Sequence, residues 1–255
     1  MNGLESFLFF DKPIPYKSIL LYPVLMSEYI EFHWAVNSLL LDKNSTPDPK
    51  VISMSYLEYL YYLAIQNNEI PYLSLLKMLL LLVLRIDAKE EDRVGFFMND
   101  QRVPYFTIDG QEFYNDDLME MKKIIFEQNC ISDIDVTIQK EVRDAMEKAQ
   151  EYKMKQNNRK ICSLEEQMIC VAISSPYKLE DIYKLTIRKF SKMLQRIDHK
   201  LHYQIYLSAE MSGFVKFDNK DAITWWMNDL DKKDKFSDVK VDMESMKNKI
   251  DNVNR

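Results

Sequence analysis

Glycine is nearly missing from this chain: there are four in 255 residues, where average usage of about 7% would supply about eighteen. Glycine provides the positive-φ turns and close backbone approach that phosphate-cradling loops and nucleophile elbows need. Gly3, Gly95 and Gly110 stand alone in terminal or hairpin contexts, and Gly213 follows a long helical pattern. No two lie near enough to form a nucleotide-binding loop. The chain reads as a mainly α interaction protein whose residue chemistry alone does not name its task.

Cysteine is scarce too. Cys130, Cys162 and Cys170 are an odd number without CxxC spacing, which predicts reduced, mostly buried thiols rather than a disulfide framework or a zinc site. Excess basic charge is absent: the net charge is −6 and the pI near 5.3, which argues against a general nucleic-acid binder. A membrane-spanning run is absent as well. The most apolar stretch, Tyr72 to Ile86, contains Lys77, ends in Arg85 and is followed by Asp87. A span needs about 20 apolar residues, so this is read as a central core helix, with no membrane partner. The opening MNGLESFLFFDKPIP lacks a basic start and a continuous apolar run, and is read as no signal peptide.

What is present can build a core: 47% of residues are hydrophobic and 29% charged, with signs mixed along most of the chain. The length suits one large domain or two small ones. Ile19–Met26 has strand composition, bent or at an edge because of Pro23. Ser27 is expected to cap a helix to about Leu41, and Asp42 to Pro49 reads as a loop. Ser53 or Ser55 caps a Tyr-rich helix to about Gln66, and Pro71 opens the apolar helix. Residues 94–113 read as a small β-meander, with a turn at Asp100–Arg102. Asn115 or Asp116 then caps a helix over Leu118–Gln128.

The charged stretch 138–159 predicts an exposed or bridging helix with a thin apolar stripe. Ser163 and Glu166 make a capping box before Met168–Ile173, and Pro176 follows that helix. Thr186 caps a long helix with Ile187, Phe190, Leu194, Ile197, Leu201 and Ile205 at helical spacing. A short extended segment near 214–217 precedes a last helix, capped by Asp221, that carries Trp225 and Trp226. The expected organisation is therefore a helical array: an N-terminal lobe (1–130), a charged bridge (131–160), a C-terminal lobe (161–231) and a flexible tail (232–255). Sparse apolar anchors leave the tail either a frayed amphipathic helix or a segment ordered by a partner.

Candidate chemistry meets bland explanations at each point. His199 and His202 could share a helix face, but without a third ligand they read as solvated, and His33 beside Trp34 reads as packing. The carboxylate runs at Asp116–Asp117, Glu165–Glu166 and Glu180–Asp181 fall at helix starts, where the dipole already favours anions, and the acidic segment Asp87–Asp92, with Glu90-Glu91-Asp92, reads as a solvated loop. No catalytic residue, metal ligand or cofactor site is assigned. Fifteen tyrosines, three tryptophans and fifteen methionines instead suit contact with another polypeptide. Tyr59 and Tyr62 are candidates. So are Trp225 and Trp226, which as helical neighbours about 100° apart cannot both face one core.

The motifs also run in a distinctive order: Ile14–Lys17 (IPYK), Leu21–Pro23 (LYP), Tyr29–Phe32 (YIEF), Glu127–Asn129 (EQN), Ser163–Gln167 (SLEEQ), Thr186–Phe190 (TIRKF), Met211–Phe217 (MSGFVKF) and Trp225–Met227 (WWM). Over nearly the whole chain this resembles a family encoded in the tail-morphogenesis region of bacteriophages and prophages of low-GC Gram-positive bacteria. Some of its members resemble tail assembly chaperones or baseplate-associated proteins. The resemblance implies a non-enzymatic tail assembly factor in the host cytoplasm, binding the tape-measure protein or another tail component before assembly. The alternative it implies is a structural component retained in the baseplate or tail of the virion. A homo-oligomer is compatible with either.

Overall fold

The computed structural model describes residues 3–43, 48–66, 71–133, 144–146, 148–149, 152, 162–214 and 225–228. Helix dominates. In chain order the elements are α1 (Gly3–Phe9), β1 (Ile14–Tyr16), β2 (Ile19–Leu21), α2 (Tyr29–Ala35), α3 (Pro49–Ser53), α4 (Tyr56–Gln66), α5 (Tyr72–Leu84), β3 (Val94–Met98), β4 (Pro104–Ile108), β5 (Gln111–Phe113), α6 (Asn115–Asn129), α7 (Leu164–Ser174), α8 (Leu179–Ile182) and α9 (Ile187–Met211). Residues 1–136 and 168–197 form one unit, and 137–167 with 198–255 form another.

The first unit is built on α5. Leu76, Leu79, Leu80 and Val83 are buried on it, at the spacing of a helix with one face in a core. Around it lie Phe32 and Leu39, Leu57 and Leu60 of α4, and Leu118, Met121 and Ile125 of α6, all buried. Arg85 ends α5 in the left-handed conformation at φ 57°, and its amide meets the carbonyls of Leu81 and Leu82. No described helix is long and apolar enough to cross a membrane.

The meander is antiparallel in the order β3-β4-β5. Val94 pairs with Ile108 and Met98 with Pro104, and Phe106 pairs with Phe113. One face of β4, made of Pro104, Phe106 and Ile108, is buried, as strand alternation requires. Asp109 and Gly110 both take positive φ, 52° and 79°, which is the two-residue hairpin geometry that Asp-Gly favours. The first turn is longer than Asp100–Arg102. Asn99 organises it, accepting the amides of Gln101 and Val103 at 3.0 and 2.8 Å.

Several local expectations need correction. The strand expected over Ile19–Met26 stops at Leu21 and pairs with Ile14–Tyr16, a partner strand the sequence reading lacked. The helix expected from Ser27 to Leu41 is a short α-helix flanked by 3₁₀ turns at Met26–Glu28 and Val36–Leu39. Asn37 and Ser38 take up the carbonyls of His33 and Ala35 with their side chains, which competes with continued α-helix. Pro49 belongs to a helix rather than a loop: it sits in the first turn of α3, where Asp48 accepts the Lys50 amide at 2.9 Å.

Neither Asn115 nor Asp116 caps α6. Tyr114 is its N-cap, and Asp117 accepts the Tyr114 amide at 3.0 Å. Asn115 instead accepts the amide of Leu57 at 3.2 Å, so its side chain serves the first turn of α4. Ser55 and Glu58 complete that turn reciprocally.

In the C-terminal half the sequence-level elements recur. Ser163 and Glu166 form the capping box at 2.8 and 3.2 Å. Thr186 accepts the Lys189 amide at 3.2 Å at the start of α9, and Gly213 follows that helix at φ 73°. Of the charged stretch 131–160, residues 131–133 are described without regular structure, and 144–146, 148–149 and 152 in helical conformation. The extended segment near 214–217 is described only at Phe214, in a bend, and the tail 232–255 lies outside the described residues.

Candidate functional site

Three of the sequence motifs meet around Tyr22 to Ser27, an extended stretch to Leu25 that runs into the 3₁₀ turn at Met26. The Tyr22 amide donates to the Val83 carbonyl at the end of α5, and Met26 and Ser27 donate to Leu185 and Tyr183. Ile187 donates back to Val24 at 2.9 Å, and Leu25 bridges Thr186. From α6, Asn129 accepts the Val24 amide at 3.0 Å and Gln128 donates to the Leu21 carbonyl at 2.9 Å. Arg188 donates to the Glu127 carbonyl at 2.9 Å. The LYP, EQN and TIRKF segments thus fasten one junction, satisfying a strand-like stretch that belongs to neither sheet.

A cleft of about 280 Å³ opens beside the junction, lined in part by Asp11, Arg85, Lys184 and Lys189. Its charges are largely matched within the fold. Arg85 donates through Nη1 to both carboxylate oxygens of Glu28 and through Nη2 to the Pro23 carbonyl at 2.8 Å. Asp11 pairs with Lys189 at 3.0 Å and accepts from Thr186 at 3.0 Å. Such mutual pairing holds backbone in place and leaves little net field for a ligand.

The IPYK motif anchors elsewhere, on Asp117 of α6. Lys17 and the Tyr16 hydroxyl both engage that carboxylate, the latter at 2.7 Å. Burial alone would raise the Asp117 carboxyl. The hydrogen bonds from Lys17, Tyr16 and the Tyr114 amide outweigh it and hold the group below its ordinary value. Burial and the Asp117 carboxylate push the Tyr16 hydroxyl well above its usual range.

The open apolar feature is on the other side of α4. Lys50, Ser53, Met54, Glu58, Tyr61, Tyr62, Ile65 and Met98 line a groove of about 480 Å³. Ile65 is 76% exposed and Met98 47%. Tyr61 spans towards the sheet, its hydroxyl donating to the Phe97 carbonyl at 3.0 Å. Burial, with Tyr105 beside it, pushes that hydroxyl up to about 12. The groove is apolar, wet at its rim by one lysine and one glutamate, and suited to an apolar side chain or helix edge.

The four candidate contact residues fare differently. Tyr59 is buried, at 8% exposure. It points from α4 into the core beside Leu60, so it is a packing residue and not a contact residue. Tyr62, three residues on, lines the groove. Trp225 and Trp226 belong to the second unit. They lie in a turn rather than in a helix, with the Asn228 amide donating to the Trp225 carbonyl at 3.0 Å. Bulky and β-branched residues before the turn (ITWW) have poor helix propensity, which the expected helix overlooked. Trp225 is 53% exposed, and the Lys200 ammonium lies 5.9 Å from the Trp226 ring centre.

Other expectations change with burial. All three cysteines are exposed rather than mostly buried. Cys130 sits in the left-handed C-cap of α6 and Cys170 on the outer side of α7. His33 and Trp34, expected to pack, are exposed, with His33 stacked on Tyr29. His202 approaches Asp198 at 3.3 Å and stacks on Tyr206. Among the described residues no three metal-binding side chains gather. Met54, Tyr61, Ile65 and Met98 were missed as groove residues. The signal for two of them was the capping box at Ser55, which sets the phase of α4 and puts Tyr61 and Ile65, together with Tyr62, on its outer side.

No curated protein and no solved structure matches the chain. Residues 153–231 match the family model described as YomV second domain. That family is associated with Bacillus phages, so in this C-terminal stretch the chain is similar to a phage protein domain.

Proposed function

We propose that this protein is a non-enzymatic phage tail assembly factor that acts in the host cytoplasm. It binds an apolar segment of a tail protein, the tape-measure protein foremost, and keeps it from aggregating until the tail is built. The observation that carries this reading is the groove beside α4, where Ile65 and Met98 stand open to solvent beside the half-buried Met54, Tyr61 and Tyr62. Pliable methionines and amphipathic tyrosines accept varied apolar partners. The likeness of residues 153–231 to a phage-associated domain supports the setting, and the net charge of −6 favours solubility of a loaded complex.

Co-expression with the tail proteins of its own phage tests the reading. Co-purification with one of them, and absence from mature particles by mass spectrometry, supports an assembly chaperone. Presence in particles at fixed copy number makes it a structural component instead.

A further inference from the structure

The outer edge of β3 is an unfinished strand. The Asp109 amide donates to the Arg93 carbonyl and the Asn99 amide to the Val103 carbonyl, and the β3–β4 register between them is regular. In an antiparallel ladder alternate residues face the partner strand. Gly95 and Phe97 therefore bond to β4, and the backbone groups of Val94, Phe96 and Met98 point away from it. The Val94 amide turns back to the Glu91 carbonyl. The amides and carbonyls of Phe96 and Met98, with the Val94 carbonyl, have no partner among the described residues. The side chains of Phe97 and Met98 are about half exposed. Unpaired edges of this kind accept another strand.

We propose that β3 pairs antiparallel with β3 of a second copy about a twofold axis at Phe96, joining two meanders into one continuous sheet. The strand complements itself in that register. Phe96 exchanges both backbone bonds with its symmetry mate, and the Met98 amide meets the free Val94 carbonyl. On the core side the pairs are apolar: Val94 with Met98, and Phe96 with Phe96. On the outer side Gly95 falls opposite Phe97. Within one chain the Phe97 ring already lies so close over Gly95 that a Cβ there would be 2.5 Å from it, so a side chain at position 95 would displace that ring. In this register the mate's Arg102 comes opposite Glu90 and its Asp100 opposite Asp92, so the charges at the strand ends balance and leave the choice to the backbone pairing.

Sedimentation of the full chain over micromolar concentrations tests this. The wild type should approach twice the monomer mass of 30.5 kDa. Phe96→Pro removes the central amide at a position where an edge strand tolerates proline, and should raise the dimer dissociation constant about tenfold or more with unchanged circular dichroism. Met98→Lys, at an exposed side chain, should do the same and decides the matter if the proline variant misfolds. A wild type that stays monomeric throughout overturns the proposal, as does a dimer that the folded edge variants leave intact. The groove variant Ile65→Asp should leave the dimer untouched and Phe96→Pro should leave the groove untouched, which separates the two surfaces although Met98 belongs to both.

Discussion

The side-chain oxygen of Asn129 accepts the amide of Val24 at 3.0 Å across 105 residues of sequence, with both groups buried. Its nitrogen donates to the Ile125 carbonyl at 2.8 Å, so both ends of the amide are used. Gln128 next to it is only half used: its nitrogen reaches the Leu21 carbonyl, while its oxygen is buried without a partner among the described residues.

That contrast ranks two substitutions. Asn129→Ala strands the buried Val24 amide and should cost about 1–3 kcal/mol. Gln128→Leu keeps volume and removes an already unsatisfied oxygen, so its loss should be smaller. Urea unfolding of the two variants checks the order.

Tyr59 and Tyr62 separate packing from contact. Tyr59→Ala removes a buried ring and should destabilise the fold by about 3–5 kcal/mol. Tyr62→Ser, at the groove, should stay within about 1 kcal/mol of wild type and weaken client binding. Thermal melts and a binding titration on the same preparations resolve the two effects.

The Asp117 clasp predicts a stability profile with pH. Its carboxyl is held below the unfolded value, so its stabilisation is complete above about pH 4 and disappears as pH falls through the lower folded pKa. Tyr16 is raised, so its contribution is complete below about pH 10 and fades in more alkaline solution. Asp117→Asn should flatten the acid limb, and Tyr16→Phe the alkaline one, in unfolding measured across pH.

The exposed thiols make a simple prediction. Ellman's reagent should titrate Cys130, Cys162 and Cys170 in the native protein without denaturant. Colour that develops only on unfolding would show them buried.

Local rules carried the helical half of this fold. The capping box at Ser163, the cap at Thr186 and the Asp-Gly hairpin at Asp109 each depend on residues within four positions, and each forms where those residues stand. What stayed hidden depended on distant partners. Nothing near Asn115 says that it will cap α4 rather than its own helix, and the β1–β2 pairing places Pro15 in a strand. The motif order pointed to LYP, EQN and TIRKF without saying that they meet. The groove was half legible: helical phase located Tyr62, but Met98 comes from the sheet. Tyr59 looked like a contact residue because composition counts tyrosines and does not tell which way they point.

The central claim is that an apolar segment of a tail protein is held in the groove beside α4. Its most direct test is titration of wild type and Ile65→Asp with the tape-measure protein of the same phage. The account predicts saturable binding by the wild type and at least about tenfold weaker binding by the variant, with equal thermal stability. Equal affinity of the two proteins, or no binding by the wild type, would contradict it.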